Sequence, residues 1–371
     1  GAPRVTTTDA LPRAGPYHRQ HLQWLGGMGL IVLAVAILPM LRVGGMQLYR
    51  AETPGPMKDA KLTPRITETA KALWLIYFGI TVTCVFAYWL AGMNLFDAVG
   101  HAFSTVAIGG FSTHNSSLAF WDNPTIESVA IVFMAIAGIN FALHFSAWRR
   151  ASAQPYFQDP ELKVYSILLL VFAVLVSFAL YVTDTYDTLS ESFRYGIFQV
   201  VSAMTTTGFT TAPFHSWTGF LPVLLICIAF IGGCAGSTAG GMKVIRVILL
   251  FRQSIREVRR LIHPHAILPV KVGGQRTSDT IISAVWGFFF LYIAAFAIMT
   301  ILLTATGLDA ETAYSAVGAC ITNLGPALGD AGPNYAALND PAKVILSIAM
   351  LLGRLEIYTL LVLLTPAFWR D

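Results

Sequence analysis

Runs of about twenty apolar residues recur along this chain, and no other feature limits its fold so tightly. At about 1.5 Å per residue, a helix needs about 20 such residues to cross roughly 30 Å of hydrocarbon. The runs lie near residues 24–41, 72–91, 126–148, 164–182, 219–251, 281–306 and 342–366, which predicts seven crossings. With 55% hydrophobic and 12% charged residues, the 371-residue chain is too apolar for water to be its solvent. The expected fold class is all-α, integral to a membrane.

The fifth run carries Gly232, Gly233, Gly236, Gly240 and Gly241 around Ser237 and Thr238, a glycine density that predicts a break inside the membrane. Between runs two and three, four and five, and six and seven lie half-apolar dips at residues 94–114, 188–214 and 310–333, too short or too polar to cross. The unit of span, dip and span therefore recurs with a period of roughly a hundred residues, and the first run belongs to a further unit. The expected divisions are 1–50 for the end of a first repeat, 51–150 for a second, 151–262 for a third with its broken span, and 263–371 for a fourth. The chain opens without an initiator Met or a signal peptide and reads as an internal start.

Charge sets the orientation. Lys and Arg concentrate in the linkers between units (Arg42, Arg50, Lys58, Lys61, Arg65 and Lys71; Arg149, Arg150 and Lys163; Arg252, Arg256, Arg259, Arg260, Lys271 and Arg276), which places these on the cytoplasmic side. The dips carry acids instead, among them Asp97, Asp122, Asp309 and Asp330, and are expected to open outside, where acids attract cations. A net charge of +4 without basic stretches interleaved with aromatics argues against nucleic acid. The four cysteines read as small packing residues.

Aligned on glycine, the dips read Ala107-Ile108-Gly109-Gly110-Phe111, Thr206-Thr207-Gly208-Phe209 and Asn323-Leu324-Gly325-Pro326. Non-helical backbone survives at membrane depth only where protein buries it or a watery cavity borders it, so three such segments around one axis imply a pore. Glycine's access to positive φ lets successive carbonyls face one side and replace the water around a potassium ion. A single such loop would more commonly be a plain turn. Arg354, deep in the last apolar run, needs a cavity or a partner. It is the gate candidate, with a structural ion pair as the alternative, and Glu356 points elsewhere on the helix. Lys243 and Arg246 read as snorkelling residues without a role. His101, His114 and His144 lack the spacing of a zinc helix. The glycine run around Gly236 and Gly241 lacks the Lys-Ser or Lys-Thr of a phosphate loop, and Gly27-Met28-Gly29 lacks a dinucleotide fold's context.

On the segments QWLGGMGLIVLAVAILP from Gln23, QLYRAETPGPMKDAKLTPRITETAKALW from Gln47, FSTVAIGGFSTH from Phe103, SAMTTTGFTT from Ser202, GGCAGSTAGGMKVIR from Gly232 and TNLGPALG from Thr322, the chain resembles the bacterial TrkH and KtrB family of potassium transporters, its TrkH branch most closely. The resemblance implies tandem M1, pore-loop, M2 repeats around a pseudo-fourfold pore, the first repeat incomplete. It implies potassium as substrate, no other cofactor, and a multi-pass place in the bacterial inner membrane. Gly110, Gly208 and Gly325 would be filter glycines, and Gly1 with Ala2 the tail of the first unit's filter. Potassium would meet Ile108, Gly109, Thr206, Thr207, Asn323 and Leu324, while the glycine-rich loop and Arg354 would form the gate. The family implies a homodimer regulated by cytoplasmic nucleotide-binding subunits of the TrkA type, and the linker from Arg252 to Arg276 is a docking candidate. The rivals are an intramembrane enzyme, for which no nucleophile and base pair up on the spans, and a non-conducting scaffold, should the missing first pore unit leave the pore open on one side.

Overall fold

The computed structural model describes residues 12–32, 66–266 and 268–355, together with 357, 358, 362 and 365. Gly1, Ala2, the basic residues Arg42, Arg50, Lys58, Lys61 and Arg65, and Glu356 lie outside the described residues.

Helix α1 (Ala14–Val32) leads into a pattern that recurs three times. Its first occurrence runs through a long helix, α2 (Ile66–Leu90), a short one, α3 (Leu95–Val106), a 3-10 turn at Ser117–Phe120, and the pair α4 (Pro124–Ala137) and α5 (Phe141–Arg150). After the five-residue α6 (Gln154–Gln158), the second has α7 (Pro160–Val182), α8 (Leu189–Met204), a turn at Phe214–Ser216, then α9 (Leu221–Ile231) and α10 (Val244–Ile262). A hairpin of β1 (Lys271–Val272) and β2 (Gln275–Arg276) precedes the third, which has α11 (Asp279–Thr304), α12 (Ala310–Ile321), a turn at Gly329–Ala331 and α13 (Asp340–Arg354). Lys271 lies opposite Arg276 across the hairpin, and Gly273 and Gly274 at its tip both have positive φ, as a tight hairpin turn requires.

Three described helices, within α2, α7 and α11, are long and apolar enough to cross a membrane, or four if the bent pair α4 and α5 counts as one span. Only 28%, 28% and 22% of their spanning windows are buried. Phe86, Leu90, Leu170, Phe178, Phe290 and Ile301 stand exposed on them, a surface suited to lipid and costly in water. The fifth of the seven expected crossings divides between α9 and α10, as its glycines predict. The third does not cross as one straight helix and is corrected: it turns by 91° between α4 and α5. The first and last runs extend beyond the described residues.

Each short helix packs along the long helix before it, α3 on α2, α8 on α7 and α12 on α11. Each also receives the preceding unit's second helix, α1 against α3, α4 against α8 and α9 against α12. That handing-on from unit to unit brings the three short helices to the middle of the molecule.

Candidate functional site

The short helices begin alike. Asn94, Thr188 and Asp309 cap them by accepting hydrogen bonds from the backbone N–H groups of Asp97, Glu191 and Thr312, satisfying donors a helix start leaves open. They also end alike. The N–H of Ile108 donates to Thr105 (3.1 Å) and that of Gly109 to Ser104 (2.8 Å); Thr206 and Thr207 repeat this with Ala203 (3.0 Å) and Ser202 (2.8 Å), and Asn323 and Leu324 with Cys320 (3.1 Å) and Ala319 (2.8 Å). This paired closure needs a left-handed residue just past the helix end, normally Gly. Here Ile108, Thr206 and Asn323 occupy it, with φ of 52°, 61° and 61°. Ile and Thr are β-branched and poorly suited to that region, so the surrounding fold must impose it.

Two residues further on, Gly110, Gly208 and Gly325 return to positive φ, at 70°, 82° and 100°. In an extended strand, side chains and carbonyls alternate in direction; alternating the sign of φ turns successive carbonyls toward one side. The loops also stand side by side in register. A β-carbon on Gly110 would overlap the Thr207 carbonyl oxygen, and one on Gly208 would overlap that of Leu324. A β-carbon on Gly325 would meet nothing within 4 Å. Beside it lies a cavity of about 530 Å³, lined from one unit by Ala107, Ile108, Gly109 and Phe111 and from another by Asn323, Leu324, Gly325 and Pro326, with Arg354 also in its wall.

Beneath these loops runs the irregular segment between α9 and α10. The Thr238 hydroxyl donates to the Val106 carbonyl at 2.9 Å and to that of Ala137 at 3.3 Å. The Gly240 N–H donates to the Thr206 hydroxyl at 2.7 Å, and a β-carbon there would overlap the Thr322 carbonyl. Ala239 packs with Ile108 and Ala137. The segment thus touches the ends of all three short helices. Its shoulders are held by the buried carboxylate of Glu161, which accepts from the N–H of Ala235 at 2.7 Å and of Ile245 at 3.2 Å. Arg354, at the end of α13, donates to the Thr238 carbonyl at 3.2 Å. No group of His, Cys, Asp and Glu able to hold a metal occurs among the described residues.

The sequence matches the TrkH family, described as a cation transport protein, over residues 1–370. The chain belongs to the TrkH family. It is 56% identical over 370 residues to the Trk system potassium uptake protein TrkH of Halomonas elongata, covering all of this chain and 77% of that protein. To the protein of the same name from Escherichia coli K12 it is 51% identical, again across the whole chain and 77% of the relative. The crystal structure of the potassium transporter TrkH from Vibrio parahaemolyticus superposes with a TM-score of 0.88 at 48% identity, over 98% of this chain and 75% of that one.

Within this TrkH-family chain, Ala107, Ile108, Gly109, Asn323, Leu324, Gly325 and Pro326 line the cavity, whereas Thr206, Thr207, Gly208 and Phe209 do not and sit between those two loops, with Gly110 against the Thr207 carbonyl and Gly208 against that of Leu324. The glycine-rich segment from Gly232 to Gly241 lies against the loops through Gly240 and Thr206, and Arg354 bonds it at Thr238. Other expectations change. Lys243 and Arg246 do not snorkel: both are buried, Lys243 bonded to the Ala239 carbonyl and Arg246, 1% exposed, stacked over Phe288 at 4.1 Å. Asp97 does not open outward but is buried, accepting from Thr113 at 2.7 Å and Asn94 at 2.6 Å. Asp122, Asp309 and Asp330 stay exposed as expected, Asp309 as a helix cap and Asp122 paired with Arg194 at 2.7 Å. Cys84, Cys234 and Cys320 are buried as packing residues would be, whereas Cys227 is exposed. His101 and His144 make buried polar contacts, His101 with Ser112 and the Asp97 carbonyl. Sequence reasoning missed Glu161 and the glutamines of α1. A carboxylate in the first turn of an apolar helix looks like an ordinary complement to the helix start, and nothing local says that its partners lie in the α9–α10 segment.

Proposed function

We propose that this chain is the ion-conducting subunit of a Trk-type potassium uptake system in a bacterial inner membrane. Its units, 51–150, 151–262 and 263–371, act as M1, pore-loop, M2 repeats around a pseudo-fourfold axis, with 1–50 contributing the end of a first repeat. The carbonyls of Ile108, Gly109, Thr206, Thr207, Asn323 and Leu324 take the place of water around potassium, and Gly110, Gly208 and Gly325 make the turn possible. Below them the segment from Gly232 to Gly241 closes the path, and the Arg354 guanidinium adds a positive barrier in a poorly hydrated channel. The observation that carries this reading is the alternation of φ at equivalent positions in adjoining loops, glycine against carbonyl. The names of the relatives, potassium uptake proteins, supply the ion.

A homodimer and a nucleotide-binding regulator of the TrkA type complete the proposed system. Parts of the suggested docking stretch are engaged internally, since Arg256 pairs with Asp279 at 2.8 Å and Arg252 donates to the Lys271 carbonyl. Exposed Arg259 and Arg260 are the better candidates for contacts outside the chain.

Rubidium uptake into liposomes carrying the full-length protein tests the reading. Gly208→Ser should lower the preference for rubidium over sodium, and Arg354→Ala should raise uptake in the absence of any regulator. Well-folded variants that leave both quantities at the wild-type level would overturn it.

A further inference from the structure

Two of the three aligned loops carry a single glycine, after Thr207 and Leu324, but the loop of the α2–α5 unit carries Gly109-Gly110. Gly109 is not among the positive-φ glycines, so backbone conformation does not demand it. Space does. A β-carbon on Gly109 would overlap the amide of Gln23, reaching within 2.6 Å of its Nε2. Gly100 on α3 repeats the arrangement: it too has no positive φ, and a β-carbon there would overlap the amide of Gln20. Two glycines of one unit are thus cleared for two glutamines of another.

Gln20 and Gln23 stand three residues apart on α1, and so on one face of the helix. Gln23 Nε2 donates to the Gly109 carbonyl at 2.8 Å, while its Oε1 accepts the Ser104 hydroxyl at 2.8 Å. Gln20 Nε2 donates to the Phe111 carbonyl at 3.2 Å, from a side chain that is 0% exposed. The neighbouring Trp24 fixes the rotation of α1. Its indole N–H bonds Thr81 at 3.0 Å, its carbonyl accepts from Tyr77 at 2.9 Å, and its ring stacks on Phe103 at 5.1 Å.

From this geometry we infer that Gln20 and Gln23 are positioning residues for the ion pathway, a two-point clamp that holds the carbonyls on either side of Gly110 at a fixed spacing. The inference rests on the reading of residues 107–110 as part of the selectivity filter. A carbonyl oxygen has two lone pairs, so that of Gly109 can accept from Gln23 and keep one for an ion in the cavity that Gly109 lines. With the clamp in place, the carbonyls around Gly110 cannot draw in toward a smaller ion without stretching bonds to a helix from another unit. Its functional consequence is discrimination against sodium, the smaller ion.

The test compares rubidium and sodium uptake by the full-length protein in potassium-uptake-deficient cells, with membrane abundance measured alongside. Gln23→Met keeps size and removes both hydrogen bonds; losing the one that restrains the Gly109 carbonyl should lower the rubidium-to-sodium ratio by about fivefold, the effect of one typical hydrogen bond. Ser104→Ala should lower it less, and the double variant should equal Gln23→Met alone, because Ser104 acts through Gln23. A structural role would change abundance and leave the ratio alone. Gly208→Ser serves as control for the filter reading. A shifted ratio in Gly208→Ser with an unchanged one in abundant Gln23→Met would overturn the clamp and leave the filter standing; an unchanged ratio in Gly208→Ser would overturn the filter itself. Should Gln23→Met fail to reach the membrane, Ser104→Ala decides, and an unchanged ratio there overturns the clamp.

Discussion

The three glycines that share a motif position do not share an environment. Gly110 and Gly208 each combine positive φ with a neighbouring carbonyl where a β-carbon would go, whereas Gly325 has positive φ and open space. Left-handed backbone costs a non-glycine residue about 1–2 kcal/mol, and overlap with backbone adds to it because backbone cannot swing aside. We therefore expect Gly110→Ala and Gly208→Ala to reduce rubidium uptake more than tenfold, and Gly325→Ala to stay within about fivefold of wild type, the equivalent of about 1 kcal/mol. Equal losses at all three would mean that the loops are not in the register described. These glycines were legible in the sequence because they recur in like surroundings. The left-handed Ile108 was not, since a β-branched residue is among the last that local preference would put there.

At the scale of elements, the break between α9 and α10 could be read from its glycines, but the turn of 91° between α4 and α5 could not. The sequence there is almost wholly apolar and has only Gly138 and Asn140 to interrupt it. Tertiary contacts bend it. Gly138 lies against the Tyr165 hydroxyl and its carbonyl accepts from Cys234, Asn140 caps α5 through the N–H of Ala142, and the Phe141 N–H donates to the Gly236 carbonyl at 3.0 Å. The bent pair thus forms a wall for the segment beneath the loops. Glu161 grips both shoulders of that segment as a charged acceptor, and bonds to charged groups are stronger by roughly 1 kcal/mol than neutral ones. Glu161→Gln should accelerate amide exchange at Ala235 and Ile245 by about fivefold, with exchange in α7 unchanged. A rate unchanged at both amides would show that the carboxylate does not restrain the segment.

Across the whole molecule, units are joined by polar contacts as well as apolar ones. Arg194 on α8 grips Glu127 on α4 with two bonds of 2.8 and 2.7 Å and reaches Asp122 at 2.7 Å. The Glu127 side chain is 3% exposed, so removing its partner would strand a buried charge, a change that costs about 3 kcal/mol. Arg194→Met should lower the melting temperature in detergent by several degrees; Arg194→Met with Glu127→Gln should recover part of that loss. No recovery would mean that Arg194 contributes through packing alone.

The sequence alone determined that the chain lives in a membrane, that a unit of span, dip and span recurs, where the loop glycines fall, and that Arg354 needs a partner. Those follow from composition, spacing and the cost of charge in hydrocarbon, which act on each segment independently. Tertiary structure decided that Asp97 is buried, that Lys243 and Arg246 are buried, that the third span bends, and that Gln20, Gln23 and Glu161 hold irregular backbone from other units. A hydrogen bond across 86 residues, like that from Gln23 to Gly109, leaves no trace in local preference. It exists only once the helices have packed and the backbone of the loop has nowhere else to find a donor.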